Sequence, residues 1–138
     1  RKRLIASDAG RGFVFNEADL IASTKNGKQL LNLGSGEETH SAAIVEGDAV
    51  AVIGDNRKLL VFGLDELPEM NRGKGVMLQR YRDGGMKDVK CFAREEGLTW
   101  LSPAGRQMRE DDLMMWTGKR ASAGRMAPRG FNKSGRFS

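Results

Sequence analysis

Three stretches of the chain repeat one pattern at a spacing of about 47 residues, and a period of that length belongs to blades or solenoid turns that stack to share a core. From Arg3 the sequence reads R-L-I-A-S-D-A-G-R-G-F-V-F-N-E-A-D-L, from Ala49 A-V-A-V-I-G-D-N-R-K-L-L-V-F-G-L-D-E-L, and from Gly97 G-L-T-W-L-S-P-A-G-R-Q-M-R-E-D-D-L. Each copy runs from an apolar strand through a small polar turn with a basic residue into a second strand. An acidic pair then precedes Leu20, Leu67 or Leu113. A unit of about 46 residues is too small to bury a core alone, so the modules of this 138-residue chain must pack on one another.

Strand signals dominate each unit. Leu4–Ala6 with Phe13–Phe15, and Val50–Ile53 with Leu59–Phe62, are β-branched or aromatic runs joined by Gly, Asp and Asn turns, the pattern of a hairpin. A third strand is predicted at Gln29–Leu33 and Val76–Tyr81, and a fourth at Ala42–Val45 and Val89–Ala93. Helical periodicity is confined to single turns at Glu17–Leu20, Leu64–Leu67 and Glu110–Met115. Four-stranded units repeating around an axis describe an all-β, propeller-like disc. The expected blades are 1–48, 49–96 and 97–117 onward, with 118–138 as the remnant of the last blade and a basic C-terminal tail.

Charge is divided unevenly. Residues 1–117 hold 17 Lys and Arg against 18 Asp and Glu, whereas 118–138 hold six cations and no acid, so the tail carries the whole surplus of the +5 chain. Its mixture of Gly, Ser and Pro with spaced cations predicts a mobile or loosely docked segment. No apolar run approaches the roughly 20 residues of a membrane helix, so no membrane insertion is expected. The lone Cys91, in V-K-C-F-A, reads as a buried reduced thiol, which fits a cytoplasmic setting. Arg1 opens directly in a predicted strand without a Met, as expected for the end of a longer polypeptide.

The loop before each third strand carries a Gly-Lys pair: Gly27-Lys28 in T-K-N-G-K-Q, Gly73-Lys74 in M-N-R-G-K-G and Gly118-Lys119 in W-T-G-K-R. Glycine lets the backbone approach a bulky anion, and the adjacent cation adds charge to the same loop. Three such loops at corresponding places would suit a long polyanion touched at intervals. Catalytic patterns are weak by comparison. His40 stands alone in E-E-T-H-S, and G-R-G at Gly10–Gly12 and G-S-G at Gly34–Gly36 lack the strand-to-helix context of a nucleotide loop. Acidic pairs such as Asp65-Glu66 and Asp111-Asp112 are expected to cap turns or balance surface charge. Trp100 and the Met114-Met115-Trp116 cluster read as blade core, and 7% aromatic content is low for a single-strand stacking platform.

The runs D-E-L-P-E-M-N-R-G-K-G from Asp65, L-I-A-S-D-A-G-R-G-F from Leu4 and K-N-G-K-Q-L-L-N-L from Lys25 closely resemble the C-terminal domain of ParC, the bacterial topoisomerase IV chain that belongs to the type IIA topoisomerases. The resemblance runs along nearly the whole chain. It implies a β-pinwheel, a propeller-like ring in which blades exchange a strand. It also implies a role in holding and steering double-stranded DNA on the outer rim. The paralogous GyrA chain of gyrase carries a longer Gly- and Arg-rich box where this chain has only N-R-G-K-G, Asn71–Gly75, so topoisomerase IV is the better match.

What the resemblance implies is a non-catalytic duplex-binding module. The tyrosyl chemistry of such an enzyme needs an activated Tyr and a Mg2+ site, whereas Tyr81, between Arg80 and Arg82, reads as a surface or packing residue. No cofactor is expected in this fragment; Mg2+ and ATP belong to the holoenzyme. The implied partners besides DNA are the ParE chain of topoisomerase IV and a second copy of ParC, both through a missing N-terminal part. Candidate DNA contacts are Lys28, Arg72, Lys74, Lys119 and Arg120 from the repeated loops, then Arg11, Lys58 and Arg106 from the hairpin turns, then Arg80, Arg82, Arg125, Arg129 and Arg136. The alternatives are a gyrase-like wrapping domain, a protein-interaction propeller that binds no DNA, and an enzyme of unrecognised type.

Overall fold

A computed structural model describes residues 1–18 and 30–138. In chain order its strands are β1 Lys2–Ser7, β2 Arg11–Asn16, β3 Thr39–Ile44, β4 Ala49–Gly54, β5 Lys58–Gly63, β6 Val76–Met77, β7 Met86–Phe92, β8 Leu98–Leu101, β9 Gln107–Glu110 and β10 Arg125–Met126. They form two four-stranded antiparallel sheets, ordered β3-β1-β2-β6 and β10-β5-β4-β7, and a two-stranded sheet β8-β9. The predicted hairpins and fourth strands are present. The third strand shrinks to two residues in the second module, and its first-module counterpart, predicted from Gln29, lies partly outside the described residues.

The outer strand of each complete sheet comes from the following module. Gly12 pairs with Val76 of β6, and Leu59 pairs with Arg125 of β10. This is the strand exchange of a pinwheel, and it makes each blade incomplete without its neighbour. Parallel bridges Val14–Glu69 and Val61–Thr117 extend the two crossings at matching positions.

Burial follows from the stacking. Every residue of β4 is buried, as a strand is only when its sheet is covered on both faces. Val50 and Val52 face the first blade, meeting Leu4, Ala6, Leu60 and Phe62. Ala49, Ala51 and Ile53 face the third module, meeting Leu98, Trp100, Leu113 and Trp116. The far face of the first blade is closed by Leu31, with Leu30, Leu33 and Met70, over Ile5, Phe13 and Phe15. Cys91 is buried as expected, and burial first, offset in part by a backbone hydrogen bond from Glu46, pushes its thiol up to about 11.

Two expectations are corrected. The 118–138 segment is packed rather than loose: β10 completes the second sheet, and Phe131 and Phe137 are buried in the core around Trp100. A low average hydrophobicity conceals two well-placed aromatics. Within the Met114-Met115-Trp116 cluster only Trp116 is core, since Met114 is 83% and Met115 62% exposed. A turn explains this, the N–H groups of Trp116 and Thr117 both reaching the Leu113 carbonyl and turning the intervening methionines outward.

The exchanged strands enter through glycines in the left-handed region, Gly75 at φ 75° and Gly124 at φ 83°. A Cβ at Gly124 would press into the Leu59 carbonyl oxygen, backbone that cannot yield without breaking the β5–β10 pairing. Gly124→Ala is therefore expected to destabilise the chain by about 2 kcal/mol or more. Urea unfolding checks this, a midpoint within error of the unsubstituted chain being the contrary result.

Candidate functional site

The cations are positioned by a strap that crosses from blade to blade at the turn end of the hairpins. Leu78 donates its N–H to the Gly10 carbonyl and Met86 to Asp8, while Asp55 donates to Gly85, so residues 78–86 tie the first turn to the second. The Tyr81 ring fills the space above Gly10 and Gly54, where a Cβ on either glycine would collide with it. Gln79 is fully buried, and its Nε2 donates to the carbonyls of Lys58 and Ala123, both at 2.9 Å. With Tyr81 and Gln79 pinned, Arg80 and Arg82 are held exposed on either side of the tyrosine.

A groove of about 460 Å³ results, lined by Asn56, Lys58, Arg80, Tyr81, Arg82 and Ala123. Ion pairs in the described part of the molecule join Lys2 to Glu69, Arg3 to Glu17, Arg11 to Glu37 and Arg109 to Asp111, and none engages Lys58, Arg80 or Arg82. Three unneutralised cations on one concave surface raise the local potential for anions. Asn56 and Gln79 escape the sequence reading; a lone amide inside the apolar run V-M-L-Q-R-Y is the signal that marks the second.

The tyrosine itself is poorly suited to nucleophilic chemistry. Burial, followed by the nearby Asp55 charge, pushes its hydroxyl well above the ordinary tyrosine range, which disfavours the phenolate. His40 gives its ring Nε2 to a 2.9 Å hydrogen bond with the Lys87 carbonyl, joining β3 to β7. The carboxylates cap, as expected: Glu66 accepts from Gly63 N–H and Asp112 from Met114 N–H. Among the described residues, no three His, Cys, Asp or Glu side chains converge on a point that could hold a metal.

The other candidate contacts separate into groups. Arg72 and Lys74 are exposed on the Asn71–Gly75 loop beside the first blade. Lys119 is exposed too, but it does not stand where Lys74 does. Met70 and Gly118 donate to Val14 and Val61 at matching positions, which sets Gly118-Lys119 opposite Met70-Asn71. Counting back from the exchanged strands then sets Ala123 opposite Lys74. The Gly-Lys pair of the third loop thus stands three positions earlier than that of the second, in a loop that is also one residue longer. Lys28 lies outside the described residues.

Two arginines are occupied within the molecule. The Arg120 guanidinium donates to the carbonyls of Glu66 at 3.1 Å and Met77 at 2.8 Å, fastening the third module to the second. Arg11 donates to the carbonyls of Lys74 and Asn32 and pairs with Glu37. Arg57, outside the candidate set, does similar work by donating to Asn132 at 3.0 Å, and so holds the tail. Arg106 is exposed on the third hairpin turn, and Arg129 and Arg136 are exposed along the tail. Arg125 lies beside Met114 and Met115, on a surface separate from the Lys58 groove.

A family model described as DNA gyrase C-terminal domain, beta-propeller, matches residues 4–46 and 48–86. The chain is 46% identical over 135 residues to the A-type chain of DNA topoisomerase 4 from Rickettsia bellii, a match covering 98% of this chain and 18% of that protein. It is 47% identical over 137 residues to the corresponding protein from Caulobacter vibrioides, covering 99% and 18%. The solved structure of the E. coli ParC C-terminal domain superposes with a TM-score of 0.78 at 26% identity, covering 96% of this chain and 58% of that one. The chain thus spans about 18% of the length of these two curated relatives.

Proposed function

Given that the chain belongs to the family of gyrase and topoisomerase IV C-terminal domains, we propose that it binds the backbone of duplex DNA without regard to sequence and without catalysing a reaction. The observation that carries this reading is the groove in which Lys58, Arg80 and Arg82 meet with no described carboxylate paired to them. Arg72 and Lys74, exposed on the neighbouring loop, extend the same charge toward the first blade. Side chains of this kind contact phosphates, which sets register and affinity but reads no bases. A convex row of blades with such contacts spaced along it would hold and bend the duplex segment that topoisomerase IV transports, in support of decatenation, supercoil relaxation and chromosome segregation.

On this reading the parent enzyme supplies the tyrosyl chemistry, the Mg2+ and the ATP, together with ParE and a second copy of ParC. No step is assigned to a metal in this chain, whose described residues do not assemble a site for one. The setting would be the cytoplasm, at the nucleoid. Titrating a short duplex into the isotopically labelled chain tests the proposal. Amide shifts are expected at Asn56, Lys58, Arg80, Arg82, Arg72 and Lys74. Shifts confined to the Met114–Trp116 surface, or none at low salt, would refute it.

A further inference from the structure

Arg11 and Lys58 occupy the same place in successive blades, the first residue of the second hairpin strand, each paired with a methionine of the exchanged strand. Their surroundings differ. Lys58 lines the open groove with Ala123 opposite, whereas Arg11 has Lys74 and the 30–37 segment opposite and is consumed by them. Its guanidinium donates to the Lys74 carbonyl, to the Asn32 carbonyl at 2.9 Å and to the Glu37 carboxylate. The Arg11 side chain is 19% exposed and that of Glu37 only 8%.

Glu37 in turn accepts the Gly34 N–H at 2.7 Å. Burial pushes its carboxyl up, but hydrogen bonds from Arg11 and the Gly34 N–H, with the Arg11 charge, outweigh that and hold it at about 2. Beside this pair the backbone of the Asn71–Gly75 loop is stitched to the same segment. Gly73 donates to Leu30 at 3.0 Å, and Asn32 donates to Gly73 at 2.7 Å. A phosphate approaching Arg11 would have to displace a carboxylate and two carbonyls.

We propose that Arg11 and Glu37 form a positioning pair that fixes the Asn71–Gly75 loop so that Arg72 and Lys74 are presented to the duplex, with Arg11 itself contacting no phosphate. The inference rests on the duplex-binding reading and assigns within it a cation that works inward and a carboxylate that aids binding to a polyanion. Only the planar guanidinium fork reaches all three acceptors at once. The two residues are therefore coupled in a way that charge counting does not foresee.

The test uses Glu37→Gln, Arg11→Gln and the charge-conserving Arg11→Lys in the full chain, read by amide exchange without DNA and by duplex affinity across a salt series. All three variants are expected to speed exchange at Asn32 and Gly73 by about tenfold or more, through loss of charge-assisted hydrogen bonds. Duplex affinity should fall by about threefold to tenfold from lost preorganisation. The salt slope should stay unchanged, because no phosphate contact is removed. If simple charge governs, Glu37→Gln tightens binding and Arg11→Gln lowers the slope by about 0.9, the share of one phosphate; either outcome overturns the pair's role. Arg11→Lys, which keeps the charge, decides the matter if Arg11→Gln does not fold. An unsubstituted chain that fails to bind duplex overturns the duplex-binding reading and this one with it, whereas normal binding by that chain with unchanged Gly73 exchange in Glu37→Gln overturns this one alone.

Discussion

Replacing Phe131 or Phe137 by alanine is expected to lower the stability of the chain by about 3–5 kcal/mol, a large part of the roughly 5–15 kcal/mol available to a domain of this size. The third module has only the two short strands β8 and β9, and a lone hairpin is marginal in water. The tail supplies what is missing. Phe131 lies 5.4 Å from Trp100 between ring centroids and meets Phe137 edge-on at 5.6 Å. The backbone is engaged as well: Leu101 donates to the Phe137 carbonyl at 3.0 Å, Phe137 to an Asp88 carboxylate oxygen at 2.9 Å, and the Trp100 indole to the Gly130 carbonyl at 3.2 Å.

The two aromatics touch, so the double variant should cost less than the sum of the singles. It should nevertheless leave β8 and β9 unpacked, with loss of the near-ultraviolet signal of Trp100 and Trp116. Urea unfolding followed by tryptophan fluorescence measures both effects. Single variants whose midpoints match the unsubstituted chain would mean that the tail is a dispensable appendage after all.

How far the fold can be read from residues alone depends on which interactions are local. The V-A-V-I and L-V-F runs announce β4 and β5 because strands buried on both faces are continuously apolar, and the D-N-R-K turn joins them. Strand exchange is invisible at that level. β6 is two residues long and pairs with Arg11 and Gly12 of the preceding module, and nothing in V-M indicates a partner so distant in sequence. Only family resemblance anticipates it. The tail is misjudged from sequence because windowed composition dilutes Phe131 and Phe137 among Gly, Ser and Arg, while their burial depends on a surface built by Trp100 and Leu98.

The candidate site shows the same division. Cations on turns are legible, and Lys58, Arg80 and Arg82 do converge. Which cations are already spent is not legible, because that depends on acceptors far along the chain: Glu37 for Arg11, and Glu66 with Met77 for Arg120. The matched Gly-Lys loops of the second and third modules dissolve for a simpler reason. Lys119 falls opposite Asn71, three positions before Lys74, so the case for a polyanion site rests on the groove rather than on the repeat.

Charge reversal in that groove is the second large effect expected. Lys58→Glu, Arg80→Glu and Arg82→Glu together should weaken duplex binding by roughly a hundredfold or more at low salt, since three contacts are lost and three repulsions gained. Stability should change little, because Arg80 and Arg82 are exposed and none of the three is ion-paired to a described carboxylate. The same reversals at Arg125 and Arg129, exposed outside the groove lining, should weaken binding far less.

The slope of log affinity against log salt, measured by fluorescence anisotropy on a labelled duplex for the unsubstituted chain and for the neutral triple variant Lys58→Gln, Arg80→Gln, Arg82→Gln, bears most directly on the claim that this groove grips nucleic-acid backbone. A slope shallower by about 2.7 in the variant, the contribution of three phosphates, is the expected result. Equal slopes for the two proteins would place the contacts elsewhere and contradict the account.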